Sequence, residues 1–398
     1  MKQWAKYEDT LEILRSTIKP WSNVQKVAIT QALDRYIAVD IVAKDNYPSR
    51  ELSAMDGYAF KWSQNLSELN LTTDLPAGTD KGLVINENEC IKTFTGSLMS
   101  EGTDTLIPVE NVEINGNKIL IKKQVPKGFA VREIGESYKK GEILIKKGAK
   151  LGYAEIALLA ELGEFHVSVF IRPRVAILAT GSEIKDLGEA LENPAQIRSS
   201  NHIALAMMMQ KMGAEPIVCE IVRDKKELVQ EAIVNALKSA DVLITTGGVS
   251  MGDYDFVKAA LKDNFNIIID GAGIKPGRHI KVATSGDKYI FALPGFPYSA
   301  MVMCVLYVRV LLNAWFGVGE PKLTAILDED YTKRSPFLEF TAVNLSVRDG
   351  KIYANLDGKK LGSSAIVNNL TNEAALLIVP KETEFIAKGE VVEILRMV

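Results

Sequence analysis

The chain has 398 residues, of which 47% are hydrophobic and 24% are charged. A single hydrophobic core stops growing at roughly 250–300 residues, so this length and composition predict two to four globular domains and argue against a disordered chain. The formal net charge is -3 and no long basic run occurs, which argues against a nucleic-acid-binding protein.

The cysteines and the most apolar stretch both favour a cytoplasmic protein. Cys90, Cys219 and Cys304 are far apart and show no metal-ligand spacing, so we expect buried, reduced thiols. No secretory pattern occurs at the N-terminus. Residues 298–312 are apolar but carry Arg309 and fall short of the ~20 residues of a membrane crossing, so we expect a buried core helix and no membrane partner.

Helical periodicity is found near the N-terminus and again after residue 150. Apolar residues on one face predict a helix over 7–19, which Pro20 ends. A second helix is predicted over 31–36 and a third over 152–162. Arg172-Pro173-Arg174 then reads as a linker.

Two stretches are β-like. Residues 43–124 indicate a small inserted β domain with strands over 82–85, 89–94, 104–108 and 118–122. The pair Asn115-Gly116 in this stretch predicts a hairpin. From about residue 320 a last β domain is predicted, with strands over 323–327, 338–345, 352–356, 375–379 and 391–395.

Between these stretches, apolar strands alternate with helices. Strands are predicted over 175–179, 217–222, 242–245 and 289–293, and helices over 201–212, 225–239, 254–262 and 298–316. This alternation predicts a parallel sheet covered by helices on both faces. Ligands of such sheets bind beyond the carboxyl ends of the strands.

Three loops follow these strand ends, over 179–183, 245–255 and 293–299. In the second loop Gly247, Gly248 and Gly252 allow close approach of the backbone to a ligand, and the helix that follows offers N–H groups to an anion. Hydroxyl donors are added by Thr245, Thr246 and Ser250. A phosphate site fits this pattern, and so does a glycine turn that only joins a strand to a helix.

Acidic side chains accompany these loops. Asp253 suits the N-cap of the helix, whereas Asp255 and Glu183 are positioned to place two carboxylates beside a phosphate. Such an arrangement needs a divalent cation, because like charges repel. The alternative for Asp255 is an exposed aspartate without a ligand.

A short basic turn precedes the last strand of the α/β stretch. Lys275 and Arg278 would hold an oxyanion or phosphate, or else form a solvated turn. His279 is not expected to bind a metal, because the chain has only 3 histidines and no cluster. In the inserted β domain, the loops around Asp56 and Thr95 read as tight turns from the residues alone. The residues by themselves therefore indicate a phosphate-handling α/β enzyme.

Taken together, these segments resemble the molybdopterin molybdenumtransferase family, which includes MoeA and the gephyrin E domain. The matching segments run in order over essentially the whole chain: Ser53-Ala54-Met55-Asp56-Gly57-Tyr58-Ala59, Thr95-Gly96 with Glu101-Gly102 and Asp104, Thr180-Gly181-Ser182-Glu183, the run 247–255, and Leu293-Pro294-Gly295.

The resemblance implies an α/β plus β fold of four domains in an elongated homodimer. They are a discontinuous N-terminal mixed domain for linkage and dimerisation (1–44 and 136–171), an inserted β domain (45–135), a central three-layer α/β/α domain with a mostly parallel sheet (172–318), and a C-terminal β domain (319–398). The central domain resembles the pterin-adenylating domain and would hold the pterin phosphate. A separate, upstream pterin-adenylating protein is an expected partner.

The resemblance also implies a reaction and its residues. Molybdate would enter adenylylated molybdopterin with release of AMP, and Mg²⁺ would be bound by Glu183 and Asp255. Catalytic roles would fall to these two acids with Asp224 and Asp56, the last facing the same cleft as Thr95. The expected substrate-binding residues are Thr95, Thr180, Gly181, Ser182, Gly247, Gly248, Ser250, Asp253, Lys275, Arg278, Pro294, Gly295 and Pro297. Molybdate is a tetrahedral dianion that needs cationic and N–H donors.

The chain departs from the family pattern at several positions. Ser137 stands where the family has Asp, Phe296 replaces the Asn of Leu-Pro-Gly-Asn-Pro, and Asp270-Gly271-Ala272 precedes Lys275 in place of a further lysine. In the last domain we expect Ser335-Pro336-Phe337-Leu338-Glu339 in place of an arginine region, and Val367-Asn368-Asn369 in place of a Ser-Ser pair. These changes favour, as an alternative, a non-catalytic pterin-binding or scaffold paralogue.

Overall fold

The computed structural model describes residues 4–249, 256–319 and 322–397. These residues form two compact units, Met1–Ala38 with Gly148–Val398, and Val39–Lys147. We call them the outer-segment unit and the inserted unit.

A mixed six-stranded sheet forms the centre of the outer-segment unit. Its strands run in the order Glu215–Val218, Arg174–Ala179, Val242–Thr246, Lys288–Leu293, Lys281–Ser285 and Asn266–Asp270. The first four strands are parallel to one another, and Lys281–Ser285 runs antiparallel to both of its neighbours. The strands Lys281–Ser285 and Asn266–Asp270 were not predicted, and the strand expected over 217–222 instead ends at Val218.

Alternate side chains of these strands enter two different cores, as the period of a strand requires. One face carries Ile177, Ile244 and Phe291, and the other carries Leu178, Leu243 and Ile290. The first core is covered by the helices Asn201–Lys211 and Pro297–Met303, the π-helical segment Cys304–Val308 and the helix Arg309–Phe316. The second is covered by Lys226–Ser239 and Phe256–Asn264. The predicted three-layer α/β/α arrangement is therefore present.

The apolar stretch that we expected to be too short for a membrane crossing is longer than predicted. Its continuous helical span is Pro297–Phe316, of 20 residues, which by length and composition alone suffices to cross a bilayer. However, 83% of its most apolar window is buried inside the protein. The expectation of a core helix is therefore correct, although the length argument for it was wrong.

A second six-stranded sheet lies in the C-terminal part of the outer-segment unit. Its order is Ile274–Lys275, Leu338–Arg348, Lys351–Asn355, Leu323–Leu327, Val391–Arg396 and Ala375–Val379. It closes on itself, because Leu338–Arg348 also pairs with Ala375–Val379. Closure removes free strand edges and encloses the apolar interior that contains Leu327, Val343 and Leu377. Tyr331–Thr332 pairs with Phe385–Ile386, and Val367–Leu370 is a 3₁₀ turn.

The N-terminal elements of the outer-segment unit pack on its first core. The helix Tyr7–Thr17 places Leu11 and Leu14 in that core, and Thr10 Oγ1 lies 2.9 Å from the Tyr307 hydroxyl. Val24–Ala28 pairs with His166–Phe170, and Tyr153–Glu161 forms the helix expected over 152–162.

The helix predicted over 31–36 is wrong. A 3₁₀ turn, Ile29–Gln31, stands there instead, and Asp34 has a φ of 61°. A left-handed residue cannot continue a right-handed helix, so the apolar spacing of this segment reflects separate contacts.

The inserted unit is a β domain, as expected. Its six-stranded sheet has the order Thr105–Pro108, Gly57–Phe60, Glu89–Thr93, Glu68–Leu75, Lys118–Ile121 and Val112–Asn115. Tyr58, Ile107 and Ile119 are buried between its strands and the loops that cover them. The run 82–85 forms only an isolated bridge, from Val84 to Glu101. Val109–Asn111 is a 3₁₀ turn.

The inserted unit contains the predicted hairpin and a short strand pair near its two chain ends. The predicted hairpin is confirmed, because Asn115 pairs with Lys118 across Gly116 and Asn117, and Gly116 has a φ of 62°. Ile41–Val42 pairs with Ile143–Ile145, so the chain enters and leaves this unit side by side. A further short pair joins Leu52–Ser53 to Val131–Arg132.

The three thiols are in apolar surroundings. Cys90 and Cys304 are buried, and burial raises the pKa of each to about 12. Cys219 is only half-buried, and burial raises its pKa as well. The expected burial is therefore complete at two positions and partial at the third.

Candidate active site

Three predicted loops meet at the carboxyl edge of the central sheet. The parallel strands Arg174–Ala179, Val242–Thr246 and Lys288–Leu293 are neighbours, and their register aligns Ala179 with Thr246 and Thr246 with Leu293. The loops after these strands therefore begin at the same level, as the topology rule requires.

These loops border a cavity of about 670 Å³ in the outer-segment unit. This volume is typical of a small-molecule site, which usually spans roughly 300–1,000 Å³. The cavity is lined by many of the predicted residues: Thr180, Gly181, Glu183, Asp224, Gly247, Gly248, Lys275, Arg278, Pro294 and Gly295. The sequence therefore predicted ten of the residues that line this cavity.

Gly247 and Gly248 have backbone conformations that allow the loops lining the cavity to lie close together. Their φ values are 92° and 64°, in the left-handed region that favours glycine. A Cβ atom on Gly247 would lie 2.7 Å from the carbonyl oxygen of Thr180, and one on Gly248 would lie 3.0 Å from Val257. Only glycine at position 247 lets the two loops approach this closely.

Ser182 and Asp224 hold two loops together by reciprocal hydrogen bonds. The Ser182 N–H donates to Asp224 Oδ2 at 3.0 Å, and the Asp224 N–H donates to Ser182 Oγ at 3.2 Å. Asp224 also lines the cavity, whereas Ser182 is absent from the described lining. These bonds position the Ser182 loop against Asp224, and the expected contact of Ser182 with the substrate stays a prediction.

Glu183 begins a small flap at the mouth of the cavity. Its carbonyl oxygen accepts a hydrogen bond from the Ile197 N–H at 2.9 Å, next to the parallel pair Ile184–Lys185 and Ile197–Arg198. The Glu183 side chain is exposed and Thr180 is buried. A carboxylate thus lies at the solvent side of the cavity and a hydroxyl at its base.

Lys275 and Arg278 line the cavity from the basic turn. Lys275 Nζ lies 3.7 Å from Glu339 Oε2, and the Arg278 guanidinium lies 4.6 Å from the centre of the Phe337 ring. Burial alone would raise the pKa of Glu339, but hydrogen bonds, first of all from Tyr331, and the charge of Lys275 outweigh it and lower the pKa. Of the two cationic side chains expected to bind an oxyanion, Lys275 therefore already lies beside the carboxylate of Glu339.

Several lining residues were not predicted. Asn201 is buried, and its Nδ2 donates to the carbonyl oxygen of Gly295 at 2.7 Å. Ser299, Ser364 and the 61% exposed Phe296 also line the cavity. An asparagine at the start of a predicted helix is usually read as a cap, so the pattern did not single out Asn201.

Ser363 and Ser364 of the C-terminal region were not predicted as site residues. Both line a smaller cavity beside Lys275, and Ser364 lines the larger one too. The expectation that Val367-Asn368-Asn369 stands in place of the family's Ser-Ser pair stays a prediction.

The remaining predicted residues are not among the lining residues that the structure describes. Pro297 begins the helix Pro297–Met303, where a proline is tolerated because its missing N–H has no helical partner. Ser250, Asp253 and Asp255 lie outside the described residues. In the inserted unit, Asp56 Oδ1 accepts hydrogen bonds from the Thr95 N–H at 2.8 Å and from Thr95 Oγ1 at 2.9 Å. These bonds lower the pKa of Asp56.

Carboxylates are sparse around the cavity. Within residues 4–249, 256–319 and 322–397, no three His, Cys, Asp or Glu side chains are grouped to hold a metal. Glu183 and Asp224 are the two carboxylates among the described residues that line the cavity. His279 packs edge-on against Trp4, with ring centres 5.1 Å apart.

Comparison with known proteins agrees with this geometry. Three family models match in order: the MoeA N-terminal region (domain I and II) over residues 5–163, the probable molybdopterin binding domain over 176–314, and the MoeA C-terminal region (domain IV) over 324–397.

Two relatives and one solved structure extend the match to the whole chain. The molybdopterin molybdenumtransferase of Nostoc sp. (strain PCC 7120) is 30% identical, with 98% of this chain and 93% of the relative covered. That of Bacillus subtilis (strain 168) is 29% identical, with 93% and 89% covered. The crystal structure of the molybdopterin biosynthesis moeA protein from Pyrococcus horikoshii OT3 is 28% identical and superimposes with a TM-score of 0.85 over 99% of this chain and 100% of that one. The chain therefore belongs to the molybdopterin molybdenumtransferase family of molybdenum cofactor biosynthesis enzymes.

Proposed function

We propose that the chain inserts molybdate into adenylylated molybdopterin, releases AMP and depends on Mg²⁺. The observation that supports this proposal is the cavity of about 670 Å³ at the carboxyl edge of the sheet. It combines a glycine floor, two carboxylates and two cationic side chains, which is the set that a phosphorylated substrate requires.

The phosphate end of the substrate has a favourable environment at this edge. The helix Asn201–Lys211 begins there, with Asn201 in the cavity lining, and helix N-termini attract anions through their free N–H groups and dipoles. Gly247 and Gly248 allow the phosphate to approach the backbone, and Thr180 supplies a hydroxyl. Pro294 and Gly295 would contact the same group from the third loop.

Glu183 and Asp255 would hold the divalent cation, which would screen the phosphoanhydride from these acids. Asp224 would hold its own segment against the loop 179–183 through Ser182 and orient the water that attacks phosphorus. Attack breaks the bridging P–O bond, and AMP leaves with that oxygen. Lys275 and Arg278 would bind the incoming oxyanion.

We further propose an elongated homodimer, in which Asp56 and Thr95 of the inserted unit complete a cleft shared between protomers. Light scattering at micromolar concentration is expected to give twice the chain mass of 43.7 kDa. A monomer under these conditions would count against a shared cleft.

The enzymatic proposal is tested by AMP release from adenylylated molybdopterin with molybdate and Mg²⁺. Glu183→Gln is expected to lower the rate by about 10²-fold or more, because an amide cannot hold the cation in the same way. Glu231→Gln, on an exposed face of the helix Lys226–Ser239, makes the same charge change away from the cavity and should leave the rate unchanged. No AMP release from the unmodified chain would refute the proposal.

A second candidate is a non-catalytic molybdopterin-binding or scaffold protein of the same fold. The observation in its favour is the carboxylate of Glu339 beside Lys275, which reduces the positive charge available to molybdate. This candidate predicts pterin binding that survives Glu183→Gln, with no turnover by the unmodified chain.

A further inference from the structure

The flap at the mouth of the cavity, residues 183–199, exposes much of its apolar surface. Its strands Ile184–Lys185 and Ile197–Arg198 form a separate two-stranded sheet, and Leu187 and Ile197 are 62% and 55% exposed. An isolated strand pair is only marginally stable in water, because it buries little apolar surface. Polar contacts to the rest of the outer-segment unit are therefore needed to fix the position of this flap.

His202, on the helix Asn201–Lys211, contacts both strands of the flap. Its Nδ1 is hydrogen-bonded to Ser199 Oγ, directly after the second strand, and its Nε2 lies 3.2 Å from Asp186 Oδ1, directly after the first. A carboxylate only accepts, so Nε2–H donates to Asp186, and Nδ1 of the neutral ring accepts from the Ser199 hydroxyl. The His202 side chain is 1% exposed, and both of its ring nitrogens bind the flap.

The helix that carries His202 is fixed at the cavity. Asn201, its first residue, is buried, and its Nδ2 donates to the carbonyl oxygen of Gly295 at 2.7 Å. Asn201 and Gly295 line the cavity, as do Ile184 and Ile197 of the flap. His202 therefore connects the flap to a part of the site that is itself anchored.

The position of Glu183 depends on this flap. Its carbonyl oxygen accepts from the Ile197 N–H at 2.9 Å, and the next such bond, from the Ser199 N–H to the Lys185 carbonyl oxygen, is also 2.9 Å long. A Cβ atom built on Gly181 would lie 2.8 Å from Glu183 Oε2, so the carboxylate folds back beside a residue that lines the cavity. A flap that moved outward would carry this carboxylate away from the cavity.

We propose that His202 is a positioning residue for the reaction: it latches the flap to the helix Asn201–Lys211 and so holds Glu183 at the cavity. His202 is not among the described lining residues, and it acts through Ser199 and Asp186. The inference rests on the proposed function only for the role of Glu183 as a ligand of the divalent cation.

The test uses a matched pair of substitutions at Asp186. Its side chain is 50% exposed, so replacing it leaves no cavity in the core, whereas His202→Ala would empty a buried position. Asp186→Ala removes the acceptor of His202 Nε2–H, and Asp186→Asn keeps an oxygen that can accept. The control is Asp263→Ala, because the Asp263 side chain is also 50% exposed and pairs with Lys226 outside the flap and the cavity lining.

Hydrogen–deuterium exchange of the full chain, measured by mass spectrometry on peptides that span residues 183–199, reports how often the flap opens. Asp186→Ala is expected to speed this exchange about tenfold, because a hydrogen bond to a charged group is lost. Asp186→Asn and Asp263→Ala should exchange like the unmodified chain. Unchanged exchange in Asp186→Ala, or equal acceleration in Asp186→Ala and Asp186→Asn, would overturn the latch.

AMP release at increasing Mg²⁺ concentration separates positioning of Glu183 from a general structural effect. Asp186→Ala is expected to need about tenfold more Mg²⁺ for half of its maximal rate, because residues that orient a metal ligand typically affect metal affinity by 10–100-fold. Asp186→Asn should need as much Mg²⁺ as the unmodified chain. A lower maximal rate with an unchanged Mg²⁺ requirement in Asp186→Ala would overturn the positioning role. The exchange measurement needs no turnover, so it decides on the latch even if the unmodified chain releases no AMP and the proposed function fails.

Discussion

At Gly247 both the backbone conformation and the space around the residue favour glycine. A left-handed φ costs a residue with a Cβ atom about 1–2 kcal/mol, and here that atom would also meet the Thr180 carbonyl oxygen at 2.7 Å. The glycine therefore sets how closely two loops of the site approach each other.

Gly247→Ala is predicted to lower the free energy of unfolding by more than strain alone and to weaken pterin binding. Gly286→Ala is the matched control, because Gly286 has a φ of 62° and no atom lies within 4 Å of its built Cβ. Urea unfolding of both variants measures the difference. Equal losses of unfolding free energy in the two variants would show that Thr180 moves away from the added Cβ atom at no cost.

Thr95→Val is predicted to raise the pKa of Asp56 toward its ordinary value, because the variant loses the hydroxyl that donates to Oδ1. A folded-state pKa below the unfolded one stabilises the fold above about pH 4, and this contribution is lost as the pH falls through the folded value. NMR titration of the Asp56 carboxyl measures the change. The control is Thr72→Val. The Thr72 hydroxyl donates to the Cys90 carbonyl oxygen in the same unit, so its removal should leave the pKa of Asp56 unchanged.

Single residues were predictable where local chemistry marks them. Glycines, acids and basic turns at strand ends could be read directly, and they line the cavity. Glu339 and Asn201 could not be recognised in this way. Glu339 reaches Lys275 only through the register of two strands 64 positions apart in the sequence, and Asn201 reaches Gly295 only through tertiary packing.

The element that dominates the core is the helical span Pro297–Phe316, with its π-helical segment at Cys304–Val308. Its side chains are buried on nearly all sides, so the whole span contributes to one core. Strands of continuous apolar residues were similarly easy to predict. Asn266–Asp270 and Lys281–Ser285 were missed because each has only three or two consecutive apolar residues between polar ones; Asp270 and Lys281, at the strand ends, pair with each other.

Leu311→Ala is predicted to destabilise the protein by about 2–5 kcal/mol, because a fully buried side chain leaves a cavity. Leu228→Ala, on a helix surface where Leu228 is 43% exposed, should change stability by about 0.5 kcal/mol or less. Chemical denaturation of the two variants measures the free energy of unfolding of each. A loss below about 1 kcal/mol at Leu311 would mean that the core around this helix rearranges freely.

At the scale of the whole chain, the structure contains two units, and the inserted one is closed at its base by Ile41–Val42 and Ile143–Ile145. Composition predicted that a β domain is inserted, because helical periodicity stops near residue 43. The boundaries of the four expected domains remain a proposal.

The fragment Val39–Lys147 is predicted to fold by itself, because its sheet, its core and its closing strand pair are all internal. Circular dichroism should show a β spectrum and a cooperative thermal transition. A shorter fragment, residues 52–132, lacks the closing pair and should melt at a lower temperature. A coil spectrum for the longer fragment would contradict the prediction.

The depth of the native thiols has a practical consequence for studying motion between the two units. Cys90 and Cys304 are buried with pKa values near 12, so thiol-directed dyes and spin labels should not modify them in the folded state. Replacing the half-buried Cys219 alone would give an unreactive background. Reporter groups attached to one surface cysteine introduced in each unit would then follow the distance between the units as substrate binds.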